Sequence, residues 1–308
     1  MMNKKPANNW QQICDPLFDL HHLRLWLYHP AQPGDMLSGN KQLKLHYPLK
    51  IAQKDGKKGI LTFGGAFSNH LAATASACKQ QNMASIGLVR TDQLDGHNPT
   101  LQYCRASGMQ LVPISRTDYR LRHESGWLAH LQQQYPDFLI VPEGGSSALG
   151  VQGVTELDLT HTPDGHSQYI VTATGSGGTL AGLALGNPNA GVIGIDVVND
   201  LSLPEKIKEW CPQATNWQLL TGYTGKGYGR FHVELLQFCL DFKQRHHITL
   251  EPIYTGKAMS ALYQLIAQGA FPKGGSISFF HTGGLQGLAG LRYRGLLTEA
   301  DYQILAPG

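Results

Sequence analysis

Lys41 stands in the run Leu37-Ser-Gly-Asn-Lys41-Gln-Leu-Lys44, near the start of a chain of 308 residues. Ser-Gly-Asn reads as a helix entry. An amine held at a fixed place, and kept unprotonated part of the time by burial, can form a Schiff base. A second candidate is Thr174-Gly-Ser-Gly-Gly-Thr179, in which Gly175, Ser176, Gly177 and Gly178 offer a flexible backbone ahead of a helix, a pattern that cradles phosphate. That segment has a competing reading. Gly175, Gly177 and Ala181 approximate a dinucleotide fingerprint, and Asp196 lies where a ribose-binding carboxylate belongs. An NAD(P)-binding oxidoreductase is therefore an alternative, and a catalytically silent small-molecule binder is another. A serine hydrolase is disfavoured because no Gly-x-Ser-x-Gly elbow occurs. The 14 histidines include the adjacent pairs His21-His22 and His246-His247 but no His-x-x-x-His, so no metal site is expected.

These residues must be positioned by a scaffold, and the scaffold is legible as strands that end in glycine. Gly59 to Phe63 meets Gly64-Gly65, and Phe138 to Pro142 meets Glu143-Gly-Gly145. Tyr169 to Ala173 runs into Thr174-Gly-Ser-Gly-Gly178, and Ser276 to Phe280 meets His281-Thr-Gly-Gly284. Further apolar runs at 85–89, 109–114 and 191–198 also predict buried strands. Helical patterns lie between them: one capped by Ser68, one from Pro99 to Ser107 closed by Gly108, one from Tyr228 to Arg245, and one from Gly256 to Gln268. Alternating strands and helices indicate an α/β fold with mostly parallel sheets, whose ligands bind beyond the carboxyl ends of the strands. Polar turns at Asp55-Gly-Lys-Lys-Gly59 and Ser146-Ser-Ala-Leu-Gly150 suggest a small domain, residues 51–147, inserted in a large discontinuous one, 1–50 with 148–308. A phosphate-binding glycine loop together with a Schiff-base lysine suggests pyridoxal phosphate.

Composition narrows the function classes. Charged residues make up 15% and hydrophobic ones 42%. Disorder is excluded, and no apolar run approaches the ~18 residues of a membrane span. A net charge of +3 without a basic stripe speaks against nucleic acid. Five scattered cysteines and an N-terminus without an apolar stretch predict reduced thiols in a cytoplasm.

Taken in order, seven motifs make the chain resemble the 1-aminocyclopropane-1-carboxylate deaminase and D-cysteine desulfhydrase family, within the tryptophan-synthase-like (fold type II) pyridoxal phosphate enzymes. They are Ser38-Gly-Asn-Lys41, Gly64-Gly-Ala-Phe-Ser-Asn-His70, Pro142 to Gly150, Thr174 to Thr179, Gly227-Tyr-Gly229, Tyr254-Thr-Gly-Lys-Ala-Met259 and His281-Thr-Gly-Gly284. The resemblance implies a two-domain enzyme with pyridoxal 5'-phosphate on Lys41, acting on a small amino acid, and a homodimer. It implies that Asn69 contacts the ring hydroxyl and that Gly175 to Thr179, with Thr174, hold the phosphate. Tyr254 would stack on the ring and also border the substrate, Thr255 would meet the ring nitrogen, and Thr282 would lie nearby. Ser68, Asn69 and His70 would receive the substrate carboxylate, and Tyr228 would face the substrate. Lys41 is the candidate base, with Ser68 or Tyr228 as others. The family's deaminases carry glutamate at the place of Thr255 and its desulfhydrases threonine; Thr282 agrees with the desulfhydrases. D-Cysteine cleavage to pyruvate, ammonia and sulfide is therefore the expected reaction, with 1-aminocyclopropane-1-carboxylate deamination as the alternative. The chain departs from the family over residues 25–36, at Leu43 (usually arginine), at Phe67 (usually glutamine) and at Ser147 (usually asparagine).

Overall fold

In a computed structural model of the chain, residues 9–29, 39–227 and 229–306 are described. Contacts divide the chain into two units, Met1–Gln32 with Leu157–Gly283 and Pro33–Glu156 with Gly284–Gly308.

The first unit is built on a six-stranded sheet. Strands β1 (Trp10–Ile13) and β2 (Arg24–Tyr28) pair antiparallel at one side. The order then continues through β12 (Ser276–Phe280), β9 (Tyr169–Thr174), β10 (Gly191–Asp196) and β11 (Trp217–Leu220), all parallel. β9, β10 and β12 are buried almost throughout, which is why they read as continuous apolar runs instead of alternating ones. The helices of this unit are α1 (Pro16–Leu20), α8 (Gly178–Gly186), α9 (Leu203–Trp210), α10 (Val233–His246) and α11 (Thr255–Ala267). A short hairpin joins β7 (His161–Thr162) to β8 (Gly165–His166). The apolar runs at 169–173, 191–198 and 276–280 are strands as expected. β1, β2 and β11 were not anticipated. β1 and β11 are edge strands of four residues, too short to show a pattern, and β2 hides in the variant stretch that begins at Leu25.

The second unit carries a four-stranded parallel sheet in the order β5 (Met109–Ile114), β4 (Ala84–Arg90), β3 (Gly59–Gly65), β6 (Phe138–Val141). Its helices are α2 (Asn40–Lys54), α3 (Asn69–Gln80), α4 (Pro99–Ala106), α5 (Arg116–Arg120), α6 (Ser125–Gln134), α7 (Ala148–Thr155), α12 (Gly287–Tyr293) and α13 (Glu299–Leu305). One core joins Leu45 and Ala52 of α2 to Ile60 of β3 and to Ala73, Ala77 and Cys78 of α3.

The units divide at places other than residues 50 and 148. α2 groups with the second unit because it lies against α7, where glycine at position 153 removes the side chain that would hold the helices apart. A Cβ on Gly153 would stand 2.0 Å from the Leu43 carbonyl oxygen. The last 25 residues join this unit through α12, which packs against α4. Neither helix announces its neighbour in sequence.

Candidate functional site

The residues that the sequence singles out fall into two groups, one on each unit. In the second unit the loop into α2 turns at Gly39, whose φ of 91° caps the helix with no side-chain hydrogen bond. Lys41 follows, half-buried, with Nζ 3.2 Å from Asn40 Oδ1. Burial pushes its amine down to about pKa 8. One turn later Lys44 is buried outright, donating to Ser146 Oγ at 2.9 Å and to the Gly144 carbonyl at 3.3 Å. Desolvation, and then the charge of Lys41, holds its pKa well below the ordinary lysine value. Lys44 was not singled out; its spacing of three from Lys41 was the available signal.

Ser68 is the N-cap of α3, its Oγ accepting from Leu71 N at 3.3 Å. That bond leaves the hydroxyl proton as a donor. Gly64 is glycine for a packing reason: a Cβ there would stand 2.7 Å from Ser68 Oγ. Asn69 and His70 open the helix and bring their backbone N–H groups to its N-terminus. The side chain of His70 serves the core instead. It is buried, with Nε2 2.9 Å from Thr62 Oγ1. The Thr62 hydroxyl already donates to the Val141 carbonyl at 2.7 Å, so His70 Nε2 carries the proton and donates. Its Nδ1 is buried without a hydrogen-bond partner among the described residues. Desolvation, with Lys41 and Lys44 nearby, keeps this imidazole neutral, its pKa well below the ordinary histidine value.

In the first unit, β9 runs into the glycine loop and α8. Gly177 caps α8 at φ 82° and, having no side chain, makes no cap bond of its own; the first-turn N–H groups of the helix follow directly on the glycine loop. A Cβ on Gly177 would stand 2.8 Å from Ile207, and one on Gly175 3.2 Å from the Tyr254 ring. The loop and Tyr254 are therefore in direct contact. Gly178 and Thr179 are buried in the first turn of α8, and Ser176 is half-buried. The hydroxyl of Thr174 has no partner among the described residues and turns towards β10, lying 2.5 Å from the Cβ position of Gly194.

Thr255 opens α11 and is fully buried. Its Oγ1 accepts from Glu251 N at 3.0 Å and lies 3.2 Å from Glu251 Oε1. The Glu251 carboxylate in turn accepts backbone N–H bonds from Ile253, Tyr254 and Thr255 at 2.7–2.8 Å. Burial raises the Glu251 pKa to about 7 against the pull of these bonds. Glu251 was not foreseen, and nothing local marks it except a glutamate four residues before a helix start. Lys257 is buried and donates to the carbonyls of Gly227 at 3.0 Å and Val197 at 3.4 Å. Gly227 precedes Tyr228, which, like Ser38 and residues 30–36 of the variant stretch, lies outside the described residues. Thr282 is buried beside His281, whose Nε2 donates to the Thr249 carbonyl at 2.9 Å.

Asp196 does not present itself to a ribose: it is buried, and its Oδ1 accepts from Val198 N and Asn199 N at 2.9 and 3.0 Å. Among the described residues no group of three His, Cys, Asp or Glu side chains could hold a metal ion, and no helix is long and apolar enough to cross a membrane. The donor set fits pyridoxal phosphate. An amine with a depressed pKa suits the aldehyde, a helix N-terminus directly behind glycines suits the phosphate, and an aromatic face lies against that loop.

A family-level comparison agrees. Residues 32–283 match the family described as pyridoxal-phosphate dependent enzyme, and this chain belongs to that family. The bifunctional D-cysteine desulfhydrase/1-aminocyclopropane-1-carboxylate deaminase, mitochondrial, of Arabidopsis thaliana is 30% identical, over 93% of this chain and 84% of that protein. The D-cysteine desulfhydrase of Klebsiella pneumoniae (strain 342) is 28% identical, over 82% of this chain and 84% of its own length. Among solved structures, an ACC deaminase homologue superposes with a TM-score of 0.77 at 26% identity, covering 95% of this chain and 94% of the other. Serine racemase from Dictyostelium discoideum shares the fold at a TM-score of 0.62, 16% identity and coverage of 87% and 89%. The fold is that of the fold type II pyridoxal phosphate enzymes.

Proposed function

We propose that this enzyme removes a β-substituent from a small amino acid, with D-cysteine conversion to pyruvate, ammonia and sulfide as the type reaction. The observation that carries this reading over ring opening is the start of α11. Thr255 there is a neutral hydroxyl, and the nearby Glu251 carboxylate is engaged by three backbone amides of its own turn. No carboxylate of that turn is left to hold a ring nitrogen protonated. Thiolate is a good leaving group and needs less electron withdrawal than opening a cyclopropane.

Pyridoxal phosphate, when bound, supplies the electron sink that stabilises negative charge at the substrate Cα. The protein's part begins with Lys41, which holds the cofactor and takes the Cα proton. With a pKa near 8, part of its amine is neutral at neutral pH. Ser68 donates its proton to the substrate carboxylate, and the amides of Asn69 and His70 add the positive end of α3. As the Cα proton leaves, its electron pair forms the Cα–Cβ double bond and the Cβ–S bond breaks towards sulfide. The resulting enamine hydrolyses to pyruvate and ammonia. The start of α8, with Thr174 to Thr179, would receive the phosphate, and Tyr254, which lies against Gly175, would cover the ring and border the substrate. By the family resemblance Asn69 would meet the ring hydroxyl, Thr255, whose hydroxyl also bonds Glu251, would approach the ring nitrogen with Thr282 nearby, and Tyr228 would face the substrate. Deamination of 1-aminocyclopropane-1-carboxylate is the second reading, favoured by the two activities in the name of the Arabidopsis relative. A homodimer, supported by the family resemblance, and a cytoplasmic setting, supported by the five scattered cysteines, complete the proposal. Keto-acid release from a panel of D- and L-amino acids, with the cyclopropane included, tests the substrate. Light scattering on the purified holoenzyme tests the dimer.

A further inference from the structure

Phe67 lies inside the Gly64–His70 segment, directly before Ser68, and its ring has a defined seat. A Cβ on Gly290, within α12, would stand 2.8 Å from Phe67 Cδ1, so the ring lies directly on the glycine backbone. The Tyr293 ring centroid is 6.3 Å away, and the Arg294 guanidinium lies 5.5 Å from the Phe67 centroid, within reach of its π face. Two residues on, the Asn69 amide meets the same segment. Its Nδ2 is 2.7 Å from the Cβ position of Gly284 and its Oδ1 3.4 Å from that of Gly287. Gly284 adopts φ 86°, so a side chain there would be strained as well as crowded. The segment is itself pinned: Tyr293 OH donates to Asp95 Oδ2 at 2.6 Å, ahead of α4. The C-terminal segment thus presses on residues 67 and 69, one on each side of Ser68. The turn that carries Ser68 is closed by its own bond, Ser68 N to the Gly65 carbonyl at 2.9 Å.

We propose that Phe67 is a positioning residue: seated on Gly290, it holds the Gly64–Ser68 turn so that Ser68 and the first amides of α3 meet the α-carboxylate of an amino acid. The inference rests on the reading of Ser68 and α3 as the carboxylate site. It predicts a loss common to every amino acid, whatever its side chain, because the carboxylate is what they share. A ring that touched the substrate side chain would discriminate among them.

The test uses holoenzyme and the shift of its visible band on adding alanine, which has nothing to eliminate. D- and L-alanine are both titrated, and ethylamine serves as the ligand without a carboxylate. Phe67→Ala is expected to weaken alanine about tenfold and ethylamine by less than about twofold. Phe67→Tyr, which keeps the ring on Gly290, restores alanine binding. Gly290→Ala, which drives a methyl into the ring, weakens it in the same direction and serves if Phe67→Ala does not fold. Pyridoxal phosphate affinity of the cofactor-free protein stays within about twofold in all three. Equal weakening of alanine and ethylamine, or alanine binding unchanged in both Phe67→Ala and Gly290→Ala, overturns the inference. Ser68→Ala separates the two levels. If it weakens alanine while Phe67→Ala does not, the carboxylate site stands and the role of Phe67 falls. If Ser68→Ala leaves alanine binding intact, or if neither enantiomer shifts the native spectrum, the carboxylate site falls and the inference with it.

Discussion

Lys41 and Lys44, one helical turn apart, show how burial sorts chemically identical amines. Lys44 is sealed among Ser146 and the Gly144 carbonyl, whereas Lys41 is half-buried at the helix entry and its pKa is pushed down to about 8. The neutral amine is the nucleophile, so capture of pyridoxal phosphate by the cofactor-free protein should accelerate with a midpoint near pH 8, read from the visible absorbance. A midpoint at the ordinary lysine value of 10.5 would count against the assignment. Borohydride followed by mass spectrometry should place the pyridoxyl group on Lys41; label on Lys44 or Lys257 would move the site. The same burial has a stability signature. Between about pH 8 and 10.5 the unfolded chain keeps a proton on Lys41 that the folded one has lost. The cost of burying the charge is full below pH 8 and fades as pH rises to 10.5. Lys41→Met should therefore flatten that part of the cofactor-free protein's stability–pH curve, as measured by denaturant unfolding.

At the scale of elements, α8 and α11 start in opposite ways. α8 begins at Gly177 with no side-chain cap, whereas the turn into α11 is held by the buried Glu251 carboxylate, which accepts from Ile253 and Tyr254 ahead of the helix and from Thr255, its first residue. An uncapped start suits a ligand phosphate, and a self-capped one suits a rigid support. Gly177→Ala should abolish cofactor retention on dialysis, since the added methyl needs φ 82° and lands 2.8 Å from Ile207. Glu251→Ala should lower the thermal midpoint of the cofactor-free protein, because the amides of Ile253, Tyr254 and Thr255 lose their acceptor, at a cost of about 1–3 kcal/mol for each one left buried and unpaired. Glu251 also has a raised pKa, about 7 against 4.5. Its contribution to stability is therefore best at acid pH and declines as pH climbs from 4.5 through 7. Glu251→Gln should remove that decline while keeping part of the cap.

At the scale of the whole molecule, the prediction is the reaction. Side-by-side assays at saturating pyridoxal phosphate should give pyruvate from D-cysteine, or from a D-amino acid with another β-leaving group. They should give little or no 2-oxobutyrate from 1-aminocyclopropane-1-carboxylate. Faster turnover of the cyclopropane would show that the neutral hydroxyl of Thr255 does not limit ring opening.

Much of this was written locally. Buried parallel strands are apolar throughout and end in glycine, so β3, β6, β9 and β12 stood out, and with them the loops after them. The placement of Lys41, Ser68 and the glycine loop at helix starts could be read because helix entries depend on neighbours in sequence. The remainder depended on contacts across long separations, which carry no periodic signal. α2 joined the second unit beside Gly153, more than a hundred residues away on α7. The His70 side chain turned out to be a core donor to Thr62, the Thr255 hydroxyl a partner of Glu251, and the Thr174 hydroxyl faced β10. Sequence determined which residue types were available and the local conformation that presents them. Only tertiary packing decided which of their polar atoms were already taken, because a buried hydrogen bond must be made with whatever group the fold brings within reach.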